Sequence, residues 1–236
     1  MIAALTNPAR FMAFSRWAAP SLGVIAAVLG AAGLWLDFAA PPDYQQGYTV
    51  HIMFIHVPAA WMSMFVYACL AGASLMGLIF RTALADAAAR AAAPLGAGFT
   101  LLALATGSLW GRPMWGTWWV WDARLTSVLV LFLFYLGYMA LQAAIDDETR
   151  AARACAILAL VGAVNLPIVH YSVIWWNTLH QAPSVGTKGA LPMTYLVPLL
   201  LLGLCYMATF GSLWLVRIRA EVWRRRAGAL ALRAAG

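Results

Sequence analysis

Six long apolar runs free of Asp, Glu, Lys and Arg alternate with short polar segments, bounded by Arg16 and Asp37, His56 and Arg81, Arg90 and Arg112, Arg124 and Asp146, Arg153 and His180, and Lys188 and Arg217. Each run meets the roughly 20 residues that a helix needs to cross the hydrocarbon core. The pattern predicts an all-α membrane protein with six transmembrane helices at about 17–36, 57–80, 91–111, 125–145, 154–174 and 193–216, in one integral-membrane domain, 1–236. The first run, 20 residues long, exceeds the usual core of about 7–15 residues in a cleaved signal peptide, so it is read as a retained anchor. Asn165-Leu166-Pro167 lies deep in the fifth run and predicts a kink whose freed carbonyl is satisfied by a neighbouring helix. Between the runs, Asp37–Gln46 with Pro41-Pro42 and the Gly- and Pro-rich Gln181–Pro192 read as loops. Thr82–Ala93 reads as a short connection, and the Arg-rich tail from Arg217 as a segment lying on the inner leaflet.

Composition agrees with the pattern. Hydrophobic residues make up 64% of the 236 and charged residues only 10%, against about a quarter charged in soluble domains. An even number of spans puts both termini on one side. That side holds twelve basic residues (Arg10, Arg16, Arg81, Arg90, Arg150, Arg153, Arg217, Arg219, Arg224, Arg225, Arg226 and Arg233), whereas the other holds Arg112, Arg124 and Lys188. The bias predicts cytoplasmic termini and an outward-facing loop, 112–124, between the third and fourth helices. Topology therefore accounts for the net charge of +7 without a nucleic-acid partner. Cys69, Cys155 and Cys205 fall inside apolar runs, with no C-x-x-C spacing, which excludes a thiol oxidoreductase and a covalent c-type haem site.

The outward loop contains Trp115-Gly116-Thr117-Trp118-Trp119-Val120-Trp121-Asp122, four tryptophans within seven residues. If helical, it would place Trp115, Trp118, Trp119 and Asp122 on one face, with Trp121 to the side. One account is an aromatic belt at headgroup level; the other is a platform for a flat apolar ligand. All four histidines, His51, His56, His170 and His180, lie at or near the same outer end. An imidazole there is costly unless satisfied. His56 and His180 stand where runs two and five meet their loops, a placement suited to two axial nitrogens on a haem iron. His170 is read as a buried, hydrogen-bonded residue. A zinc site needs three or four close ligands, and the outer side adds few carboxylates beyond Asp37, Asp43 and Asp122. Arg112 and Arg124 flank the tryptophans and suit either headgroups or the carboxylate edge of haem.

The tryptophan stretch resembles the WWD signature of the haem-handling proteins of cytochrome c maturation. With Tyr44-Gln-Gln-Gly47, His56-Val-Pro-Ala-Ala60, Asn165-Leu-Pro-Ile-Val-His-Tyr171 and Trp175-Trp-Asn-Thr-Leu-His180, the chain is similar to the six-span CcmC family over about 43–180. The resemblance implies that haem b binds transiently and non-covalently at the periplasmic face of the bacterial inner membrane, with His56 and His180 as iron ligands. It further implies that Trp115, Trp118, Trp119, Trp121 and Asp122 cradle the porphyrin. The haem would be delivered to the chaperone CcmE, with CcmA, CcmB and CcmD subunits forming an ABC-type complex. His51 departs from the arginine of some relatives, which makes Arg124 the expected propionate partner. No nucleophile or acid–base pair is evident on the outer side, so positioning and ligation, more than catalysis, are expected. A b-type electron-transfer cytochrome and a solute permease with an aromatic belt are the rival readings. The first usually needs histidines toward the other face, and the second needs broken or polar helices near the midplane.

Overall fold

The computed structural model describes residues 7–180 and 191–235. Within these, six helical stretches are long and apolar enough to cross a membrane, as the hydropathy pattern predicts. Helix α1 spans Pro8–Ala39, α2 Met53–Phe80, α3 Ala83–Trp115 and α4 Ala123–Ala144. The fifth crossing is divided into α5, Glu148–Ala163, and α6, Asn165–Trp175, and α7 runs Met193–Ala235. A 3₁₀ turn, Tyr48–Ile52, leads directly into α2. Both described ends of the chain lie at one end of the bundle, opposite the tryptophan segment.

Helix limits follow local chemistry. The Asn7 side chain accepts the Ala9 and Arg10 N–H groups, and Pro8, lacking an N–H, occupies the first position of α1. Asp147 caps α5 by accepting the Arg150 N–H at 2.7 Å. The fifth crossing breaks beside Pro167, as expected, because proline cannot donate to the preceding turn. Asn165 sits at that break, and its Nδ2 donates to the Ser127 carbonyl of α4 at 2.8 Å. Two connecting segments differ from expectation. Thr82–Ala93 is almost wholly helix: its run of alanines favours helix, so α3 starts at Ala83 and only Arg81 and Thr82 break the chain. The tail also continues as helix through Ala235, with no proline after Pro198, instead of turning to lie on the leaflet. The Gln181–Pro192 loop lies mostly outside the described residues.

The core is built by α2, α3, α4 and α5 around Tyr67, Leu70, Leu131, Tyr135 and Ala159. Small residues make room for the two tyrosines: a Cβ at Gly96 would stand 2.1 Å from the Tyr135 ring, and one at Gly162 would stand 2.0 Å from the Tyr67 hydroxyl. Helix α1 packs along α7 through Gly23, Gly30 and Gly33, facing Ser212, Cys205 and Leu202. At the terminal end, Glu221 accepts from Arg90 at 3.1 Å, fastening α7 to α3, and from Arg225 of its own helix at 2.9 Å. These contacts fix α2, α3, α4 and α6 around a cavity at the tryptophan end.

Candidate functional site

The tryptophan segment is a tight bridge between two helices. Helix α3 stops at Gly116, whose φ of 75° lies in the left-handed region that glycine adopts without a Cβ clash. Six residues later Asp122 caps α4, its Oδ1 accepting the Leu125 N–H at 2.8 Å. A stop and a start this close leave no length for an intervening helix, so 116–122 is non-helical and the expected shared face does not form. Its residues separate instead. Trp115 and Trp119 line the cavity with Arg124. Trp118 and Trp121 lie largely exposed outside it, Trp118 beneath the Arg112 guanidinium at 6.0 Å and Trp121 edge-on to Trp119 at 5.5 Å.

The cavity is open to the surface, about 880 Å³ of non-atom space lying within it when the open solvent is included. His56, in the first turns of α2, is buried, and His180 enters from the segment after α6, where its N–H bonds the Thr178 hydroxyl at 2.8 Å. Their ring centroids are 6.2 Å apart, and His180 is also 6.2 Å from Trp115. The His56 ring meets the edge of Trp110 at 5.7 Å, and Trp110 Nε1 donates to Gln46 Oε1 at 2.9 Å. Arg124 is anchored through one N–H to the Val169 carbonyl at 2.7 Å, its other guanidinium donors having no hydrogen-bond partner among the described residues.

Among the described residues, two buried polar atoms of the tryptophan segment have no hydrogen-bond partner: Trp119 Nε1 and Asp122 Oδ2. Buried donors are normally satisfied, so the unpaired Nε1–H of Trp119, a residue of the cavity lining, stands out. Among the described residues no three His, Cys, Asp or Glu side chains cluster as a metal site. Two imidazoles can serve as the two opposite ligands of a metal whose other positions a macrocycle fills. One ion between two imidazoles, at about 2 Å from each nitrogen, sets ring centres roughly 6 Å apart. The observed spacing fits.

The family model for CcmC, described as Heme exporter protein C, matches residues 1–233. The chain belongs to the CcmC family. Among its relatives, the Heme exporter protein C of Bradyrhizobium diazoefficiens is 57% identical over 228 residues, covering 96% of this chain and 87% of that one. That of Escherichia coli K12 is 52% identical over 181 residues, 76% of this chain and 74% of its own. That of Paracoccus denitrificans is 46% identical over 230 residues, 96% and 95% of the two chains.

In this CcmC-family chain, His56, His180, Trp115, Trp119 and Arg124 line one cavity, and Trp118 and Trp121 lie outside it. Asp122 does not line the cavity; it fixes the start of α4, two residues before Arg124. His170 is exposed, touching the Tyr171 ring edge-on at 4.6 Å, so the expectation of a buried, hydrogen-bonded residue is corrected. It lies on the face of α6 opposite the buried Val169 and Ser172 side. His51 bonds Asp37 through Nδ1 at 2.5 Å and takes no part in the cavity. Sequence reading missed Gln46, Thr106, Gly107 and Trp110. Trp110 and Gln46 had a visible signal, as an aromatic one turn before the tryptophan cluster and as part of the quoted Tyr44–Gly47 motif; Thr106 had none.

Proposed function

We propose that the chain binds haem b, in transit and non-covalently, at the tryptophan end of the bundle, and passes it to a CcmE-type chaperone. That end is taken as periplasmic, with the termini in the cytoplasm of the bacterial inner membrane, on the strength of the arginine distribution. The observation that carries the reading is the pair of imidazoles, His56 and His180, held 6.2 Å apart at the wall of one open cavity. His56 and His180 would hold the iron, Trp115 and Trp119 would bound the ring, and Arg124 would take a propionate. Bound haem supplies the iron centre and the reactive periphery that a chaperone requires. This chain's part is to ligate, orient and leave an edge open, since the cavity is not enclosed by packed core. Its relatives' name, Heme exporter protein C, supports haem as the cargo. A working assembly with CcmA, CcmB and CcmD subunits belongs to the same proposal.

The account is tested by co-expressing the chain with the chaperone and measuring covalently haem-loaded chaperone. Wild type yields loaded chaperone, and His56→Ala or His180→Ala reduces it at least tenfold at equal membrane abundance. Loading that survives both substitutions would contradict the role given to the pair.

A further inference from the structure

The His56 ring is held by one face of α3, where the Thr106 hydroxyl and the Ala103 backbone both lie beside its nitrogens. Nδ1 of His56 lies 3.1 Å from Thr106 Oγ1. A threonine hydroxyl has one proton. The Thr106 proton is committed to the Leu102 carbonyl one turn earlier, at 2.6 Å, much the shorter of the two bonds, with the Ala103 carbonyl also near at 3.3 Å. Toward His56 the oxygen is therefore an acceptor, and Nδ1 carries the hydrogen. In a neutral imidazole this places the lone pair on Nε2, the other nitrogen.

The rest of the face removes the ring's freedom to turn. Next to Thr106 is Gly107, where a Cβ would stand 2.9 Å from His56 Cε1, so the ring edge occupies the space a side chain would fill. One turn beyond Thr106, Trp110 closes on the ring edge-on. With Thr106, Gly107 and Trp110 around it, the ring's remaining aromatic neighbour is His180.

We infer that Thr106 is a positioning residue of the haem site, which holds His56 in the Nδ1–H form and so presents Nε2 as the iron-binding nitrogen. This rests on the haem reading above. Ligating histidines generally donate their second N–H to an oxygen, which fixes the tautomer and strengthens the ligand, and loss of such a partner typically costs about 10–100-fold in affinity. Here the oxygen comes from a side chain on a neighbouring helix whose own proton is spent within that helix.

The test uses the full chain in detergent, loaded with haemin, as wild type, Thr106→Val and Thr106→Ser. Valine keeps the shape and removes the acceptor, whereas serine keeps the acceptor. Three quantities are read: the low-spin absorption spectrum, the rate of haem loss to a scavenging globin, and the reduction potential. Thr106→Val is expected to lose haem about tenfold or more faster and to show a raised potential, because a ligand without its hydrogen-bond acceptor donates less charge to the iron. Thr106→Ser should behave as wild type, and the apo-protein melting temperatures should agree. Should Thr106→Val fail to accumulate, Thr106→Ala reads the same loss. Equal haem loss and equal potential in wild type and Thr106→Val would overturn the Thr106 assignment alone. A wild-type protein without a low-spin spectrum would remove the haem site, and this inference with it.

Discussion

Trp118 and Trp119 are neighbours in sequence with different environments, and the difference separates a belt residue from a site residue. Trp119 lines the cavity with its Nε1 buried and unpaired, whereas Trp118 stands 55% exposed under Arg112. Trp119→Phe keeps a large ring and removes the donor. A hydrogen bond to a charged group contributes about 1.5–3 kcal/mol, so haem retention is expected to fall about tenfold or more if that donor meets a propionate, with Trp118→Phe near wild type. Equal haem content in the two purified variants would return Trp119 to the belt. Composition could not make this distinction, because both residues belong to one W-W pair; it arises from the backbone between Gly116 and Asp122. Asp122 illustrates the same point. Its position in the motif suggested a ligand contact, and its carboxylate proves to be the cap that begins α4.

At the scale of elements, runs of apolar residues were enough to place the crossings, because a helix that spans lipid must satisfy its backbone internally. Helix ends were less legible. Where a run passed into alanine-rich or arginine-rich sequence, charge alone did not stop the helix, so α3 begins early and α7 continues late. At 43 residues α7 is about 65 Å long, roughly twice the hydrocarbon thickness, and its terminal portion is held by Glu221 and by Arg219, which donates to the Met12 carbonyl at 2.7 Å. The break between α5 and α6 was legible from Pro167, and the bond that ties it to α4 was not, since that bond depends on Asn165 meeting Ser127. Asn165→Leu removes that bond between helices and is expected to cost about 0.5–1.5 kcal/mol. The measurement is thermal unfolding in detergent, where the variant melts below wild type. An unchanged melting temperature would show that the break is held by packing alone.

For the whole molecule, the decisive arrangement is convergence. His56 enters from α2, Trp115 and Trp110 from α3, Arg124 from α4 and His180 from the segment beyond α6, so the site exists only when the bundle has closed. The residue types and their common end were readable in the sequence. Their meeting was not, since 124 residues separate the two histidines and no local periodicity links them. The family match covers the same bundle from residue 1 to 233. The central claim is that His56 and His180 are the two axial ligands of one haem. It is tested most directly by the spectrum of purified, haem-loaded wild type beside His56→Ala and His180→Ala. The account predicts a six-coordinate, low-spin bis-imidazole signature in wild type and its loss in each variant. A wild-type signature that persists in both variants, or a wild type with no Soret band after loading, would contradict it.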